Sequence, residues 1–452
     1  MLNYKKSQII GVERMKKIIF FICMSASIIN GLGINNTISS DFQKIEDKSI
    51  VMDTVGRTNI EDIIDNESSE LRDSSFYVLS RNFGYYKGSL PMSSITKIVF
   101  TDVVPKSYDE KWCANEKNTE DILGYRVGTE VYIVGDKIYF NPYSKYMFAG
   151  KNRYDEPLWS NLQEVVGLDF VDTSKVKSTS LMFYKNLNIQ ELDLNNWDMS
   201  NVESVSFMFA GCLNLEKLYI DKWDVSSVKD FSALFQGTSH KGDMKLYYLD
   251  VSKWKTSSAE NMGHVFYGCG NLEYIDISNW DVRKVTNFSH MFSDCFKLKE
   301  LDLSKWKTLS VINFDAFLND CRSLIVIDVS NLETKTCIQF SQMFEACINL
   351  ERIIGIENWD VSNASNYAFS ETFHCCYKLK ELNLSSWNTK KADNYARMFA
   401  ECRSLVELDL SNFSYSNLKF VTEMFKGCNN LEVIKGIETW VLNGVKGVET
   451  MY

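Results

Sequence analysis

One period organises most of this chain. Leucines, or isoleucine in their place, stand at Leu162, Ile189, Leu215, Leu246, Leu272, Leu298, Leu324, Leu350, Leu379, Leu405 and Leu431. Seven of the ten steps between them are 26 residues, and the others are 27, 31 and 29. A fixed period between about 20 and 50 residues is the mark of stacked repeats, in which no unit can bury its apolar face alone. It also removes the size limit on a single core, which a chain of 452 residues would otherwise exceed.

Each position in the period has a physical reading. In Leu298-Lys-Glu-Leu301-Asp302-Leu303, the leucines Leu301 and Leu303 point one way and Asp302 the other, as the two-residue period of a strand requires. The residues from Ser304 turn the chain, and Trp306 buries its ring against the neighbouring coil. Met291-Phe292, with Cys295 three residues on, suits one turn of α- or 3-10 helix on the opposite wall. The fold class expected is therefore an α/β repeat: a leucine-rich-repeat solenoid with short parallel strands on one wall and short helical or 3-10 turns on the other.

The first third does not repeat. Met15-Lys16-Lys17, the apolar run Ile18–Ile29, then Gly31 and Gly33 have the order of a secretory signal peptide, with residues 1–14 as an upstream extension. An uncleaved signal anchor is the rival reading, and lipid attachment at Cys23 is disfavoured by the preceding Ile22. Residues 34–90 are rich in Ser, Asp, Glu and Asn and read as a polar stalk. Residues 91–150 read as an N-terminal cap, with a tight hairpin expected over Gly135-Asp136 between Val131–Val134 and Lys137–Phe140. The array is expected over 151–452 as about ten coils of 26 residues. The stop at Met451-Tyr452 falls inside an expected Met-Phe element, which fits a truncated sequence.

The recurring pattern L-x-x-L-D-L-S-x-W-D-x-S-x-V-x-x-M-F-x-x-C resembles the BspA-like leucine-rich-repeat surface proteins. The likeness is strongest to the branch first seen as a domain of unknown function in mycoplasma lipoproteins. It covers about residues 130–452, from Lys145-Tyr-Met147-Phe148-Ala-Gly150, which matches Met208-Phe209-Ala-Gly211. Departures are Asn186 and Thr238 in place of Cys, and Leu332 and Phe413 in place of Trp. The resemblance implies an extracellular location and adhesion to host proteins or other cells, and it supplies no catalytic residues.

The chemistry legible in the chain points the same way. A net charge of −10 disfavours nucleic acid and anionic lipid as partners. No Gly-rich phosphate loop, HExxH or nucleophile elbow occurs, so an enzyme and a cofactor are not expected. The in-phase cysteines Cys212, Cys269, Cys295, Cys321, Cys347, Cys376, Cys402 and Cys428 fit buried free thiols, because parallel Cβ vectors disfavour disulfides between neighbours. His264 and His290 lie 26 apart, but no third ligand stands in their column, whose neighbours are Ala233 and Ala316.

Asp250, Asp276, Asp302 and Asp328 occupy the outward strand position, where Asp either caps the following Ser turn or offers charge to a basic partner or Ca²⁺. With Tyr219, Tyr248 and Tyr274 they form the candidate binding set for an extracellular protein ligand, a host-matrix or cell-surface protein. A structural, self-associating surface coat is the alternative, and a wall or glycan enzyme in residues 91–150 a remote one. The insertions near Ser239–Met244 and Phe369–Glu371 are the other candidate sites in the array.

Overall fold

The computed structural model describes residues 90–115, 120–238, 244–247 and 249–452, all within one compact unit. The expected signal peptide, nearly all of the expected stalk, Tyr248 and residues 239–243 lie outside the described residues. What is described is a succession of repeats built from short strands and loops, with few helices and no closed barrel among the described residues.

The N-terminal part is one sheet. Strands β1 (Lys97–Thr101), β2 (Glu110–Cys113), β3 (Leu123–Val127), β4 (Glu130–Val134) and β6 (Glu164–Val166) lie in the order β2-β3-β4-β1-β6. β2, β3 and β4 pair antiparallel, and β1 pairs in parallel with β4 and β6. The tight hairpin joins β3 to β4 through Gly128, whose φ of 60° suits a glycine. The hairpin expected at Gly135-Asp136 does not form. Both edges of β4 are already taken by β1 and β3, so the next strand, β5 (Ile138–Tyr139), pairs instead in parallel with β7 (Val171–Asp172). Parallel pairing between successive repeats thus begins at Ile138 and continues with Tyr143 opposite Ser178.

From there the repeats align in register. On one wall, β8 (Glu191–Asp193) pairs with β9 (Lys217–Tyr219), β10 (Val326–Asp328) with β11 (Arg352–Ile354), and β12 (Glu407–Asp409) with β13 (Val433–Lys435), all parallel. On the other wall a single file of bridges runs Ser178, Ser204, Asp230, Asn261, Asn287, Asn313 and Gln339. Asn287 passes the file on through its side chain too, its Nδ2 donating to Asn261 Oδ1 at 3.1 Å.

The Met-Phe wall differs from the helical turn that its spacing suggests. Residues just before the Met-Phe position hold left-handed backbone: Phe207 at φ 55°, His264 at 59°, His290 at 53° and Arg397 at 52°. A left-handed residue breaks a right-handed helix. Alternate amides then point out of the turn toward the next repeat. Phe207 and Phe209 donate to the carbonyls of Ser232 and Leu234 at 2.9 and 3.0 Å, whereas Met208 and Ala210 donate three residues back, to Val205 and Phe207. The 3-10 helices 168–170, 356–358 and 437–439 lie elsewhere, and they follow the left-handed glycines Gly167, Gly355 and Gly436; among the described residues only 448–450, after the left-handed Gly447, stands on the Met-Phe wall, just before Met451.

The core between the walls is aromatic. Phe183, Phe209, Phe235, Phe266 and Phe292 stack in sequence with centroids 5.3–5.9 Å apart. Trp223, Trp254 and Trp280 stack beside them at 6.2 and 5.9 Å. Each of these indoles donates its N–H to a carbonyl of the preceding repeat, as Trp280 does to Val251 at 3.1 Å. Burying a ring of this size contributes roughly 1.5–3 kcal/mol, and the indole bond avoids leaving a buried donor unpaired.

Candidate binding face

The strand wall presents its outward residues through a local rule. In each repeat the residue between two inward apolar groups must face out, and where it is Asp it folds back on its own turn. The Oδ1 atoms of Asp250, Asp276, Asp302 and Asp328 accept the backbone N–H two residues on, at Ser252, Ser278, Ser304 and Ser330, over 2.9–3.1 Å. The serine hydroxyls bond Asp250, Asp276 and Asp328 as well. These bonds favour the ionised form, and the Ser304 and Ser252 donors hold the Asp302 and Asp250 carboxyls below the usual carboxylate range. The capping role is therefore present, and one carboxylate oxygen is left over beside it.

Asp276, Asp302 and Asp328 are exposed, and Asp250 is half-buried. Tyr219 takes the place of Asp in its repeat, directly opposite Asp193 in the β8–β9 register, and is half-buried. Tyr274 is exposed, with Lys299 Nζ 5.4 Å from its ring centroid. Tyr248 lies outside the described residues.

Sequence reading missed four residues on this wall: Tyr247, Ile325, Val326 and Val406, all exposed. Each follows the anchor leucine within two residues, where polar side chains are usual, and that departure was the available signal. Farther along, Arg352, Ile354, Gly355, Glu357, Glu381 and Asn383 line a groove of about 320 Å³. The insertion at Phe369–Glu371 is structural by its contacts: Phe369 stacks on Phe340, and Glu371 accepts from Gln342 and Arg397.

Seven of the eight in-phase cysteines are buried as expected, whereas Cys428, in the last complete repeat, is half-buried. All eleven described cysteines are free. In the in-phase column each Sγ donates to a carbonyl of the preceding repeat, for example Cys295 to Phe266 and Cys321 to Phe292, both at 3.2 Å. Burial pushes the Cys212, Cys269 and Cys347 thiols up to about 12.

The two histidines do have a companion that the column alone hides. Asp315, one residue before Ala316, brings Oδ2 to 3.6 Å from His290 Nε2. Among the described residues no group of three or more His, Cys, Asp or Glu side chains is arranged to hold a metal ion.

The family described as "Mycoplasma protein of unknown function, DUF285" matches the chain three times in tandem, over residues 145–247, 242–355 and 341–452. Comparison with curated proteins gives no match.

Proposed function

The chain belongs to the DUF285 family of mycoplasma proteins of unknown function, and from that premise we propose that it is a BspA-like leucine-rich-repeat solenoid acting as a secreted or cell-surface adhesin. Its partner is an extracellular protein, of the host matrix or of a neighbouring cell, held on the strand wall. The observation that carries this reading is the exposure of Tyr247 and Tyr274 on successive repeats of that wall, beside the outward carboxylates. Exposed aromatics on an otherwise polar, repeating face give contact area at small entropic cost.

Secretion rests on the charged, apolar and small order of Met15 to Gly33. No helix of the described residues is long and apolar enough to cross a membrane. Catalysis is not part of the proposal, because the carboxylates on this wall recur with the repeat and are engaged in turns.

The experiment is a binding screen of the purified chain against immobilised matrix proteins, with Tyr247→Ala/Tyr274→Ala beside it. Retained binding to a matrix protein that drops in the double variant, at unchanged melting, supports the reading. Binding indifferent to the double variant moves the site off the strand wall, and no binding to any protein tested counts against adhesion.

A further inference from the structure

Two extra residues disturb the file of bridges late in the array. The ring that packs behind the file stands eight residues after the tryptophan in Trp306–Phe314 and Trp387–Tyr395, and ten after it in Trp359–Phe369. Phe369 keeps phase by stacking on Phe340, so the surplus falls on Tyr367 and Ala368. A left-handed Asn366, at φ 54°, starts the detour, and Tyr367 is left 45% exposed. Asn366 bridges Ala392 and Asn394 bridges Phe420, so a whole repeat lies between Tyr367 and Phe420. Their rings nevertheless meet, with centroids 6.0 Å apart and planes 24° apart. Phe420, half-buried, also takes Lys446 Nζ at 5.5 Å from its centroid.

The same corner of the array is basic. Over 388–394, 414–420 and 441–446 the charged residues are Lys390, Lys391, Lys419, Lys446 and one acid, Asp393. The four lysines are exposed, whereas Asp393 is buried and its Oδ2 holds Lys419 Nζ at 3.0 Å. Among the described residues Lys390, Lys391 and Lys446 form no ion pair, and Lys391 Nζ donates to a neutral partner, Asn363 Oδ1, at 2.6 Å. Beside the same file in earlier repeats the charges cancel, as Lys229 does with Glu203 at 2.8 Å. Lys446 instead bonds its amide to the Lys419 carbonyl at 2.8 Å, so like charges stand on adjacent repeats. Such a pair is unfavourable until an anion joins it. In a chain of net charge −10 this corner is a local reversal of sign.

The residue types select among anions. No arginine occurs in these three segments, so the planar fork that grips a phosphate is missing and the lysines act as point charges. A uniformly charged polymer, nucleic acid or sulfated glycan, would run on from here over an acidic surface and be repelled. A protein segment carries its carboxylates locally and sets apolar side chains among them, which Tyr367 and Phe420 match. We propose that the corner formed by Tyr367, Phe420, Lys391, Lys419 and Lys446 binds an acidic peptide segment of a partner protein, with apolar side chains among its aspartates and glutamates. This site lies on the bridge wall, not the strand wall, and does not rest on the adhesin reading.

The test is fluorescence anisotropy with the full chain and a labelled Glu-Leu-Asp repeat peptide. Competitors are the Glu-Ser-Asp peptide of equal length, heparin fragments and oligothymidylate. The expected result is binding that weakens as salt rises and drops about fivefold in Lys391→Gln/Lys446→Gln, the loss of two exposed charge contacts. Tyr367→Ser should weaken it as well, while Tyr247→Ala/Tyr274→Ala on the strand wall leaves it unchanged, all at unaltered melting. Equal binding of the Glu-Ser-Asp peptide means charge attraction alone and overturns the proposal. Tighter binding of heparin or oligothymidylate replaces the peptide by a polyanion and overturns it too, as does no peptide binding. Peptide binding lost only in the strand-wall variant places the site on the other wall and removes this one while leaving the adhesin reading standing.

Discussion

His264 and His290, one repeat apart, lie face to face with ring centroids 4.7 Å apart and planes 11° apart. Tyr267 packs its ring against both, Ser293 bonds His290 Nδ1 at 3.1 Å, and Asp315 faces Nε2. Burial holds the His290 imidazole below its usual range, and burial also raises the Asp315 carboxyl. A histidine whose folded pKa is depressed takes up its proton first in the unfolded state. Its contribution to stability is therefore lost as pH falls through about 6.5. Urea midpoints should drop between neutral and mildly acid pH, and His290→Asn should lessen the drop. An equal drop in the variant would place the acid sensitivity elsewhere.

Trp306→Ala is expected to cost about 3–5 kcal/mol. The ring is fully buried, stacks on Phe288 at 5.2 Å and donates to the Ile277 carbonyl at 3.2 Å. Because repeats touch only their neighbours, faster amide exchange should concentrate in the repeats beside it. Uniform loss of protection from Leu162 to Leu431 would contradict nearest-neighbour packing.

Thiol labelling of the native protein should be slow at the buried column cysteines. Burial raises Cys295, Cys321 and Cys402 well above the usual thiol range, so little thiolate is present to react. The half-buried Cys113, Cys375 and Cys428 should label first, and the seven buried column cysteines only on unfolding. Mass spectrometry that finds Cys295 and Cys321 labelled alongside Cys113 would refute the ordering.

Gly355→Ala should destabilise far more than Gly444→Ala. Both glycines are left-handed, with φ of 84° and 80°. An alanine pays roughly 1–2 kcal/mol for that backbone alone. At Gly355 a Cβ would also stand 2.4 Å from Ser330 Cα in the preceding repeat, whereas at Gly444 nothing lies within 4 Å. Equal melting temperatures for the two variants would show that the repeats do not approach so closely at Ser330.

The inward half of the structure was legible in the chain. Leu301, Leu303, Trp306, Phe292 and Cys295 are buried as their spacing requires, because each repeat hides the same apolar groups against the same neighbours. The outward column was legible as well, down to Asp302 bonding its own turn two residues on, since that interaction is local in sequence. What spans repeats was not. The left-handed backbone at His264 and His290 is compensated by amides that bond a different repeat, and no local propensity records that. β5 left its expected hairpin because β1 and β3 already held both edges of β4, a competition visible only once the sheet is assembled. Asp315 reaches His290 from 25 positions away, one residue out of phase with the histidine column. A period reports which residues must be buried, because burial repeats; it does not report which partners the remaining groups find, because those depend on the particular side chains that adjacent repeats bring alongside.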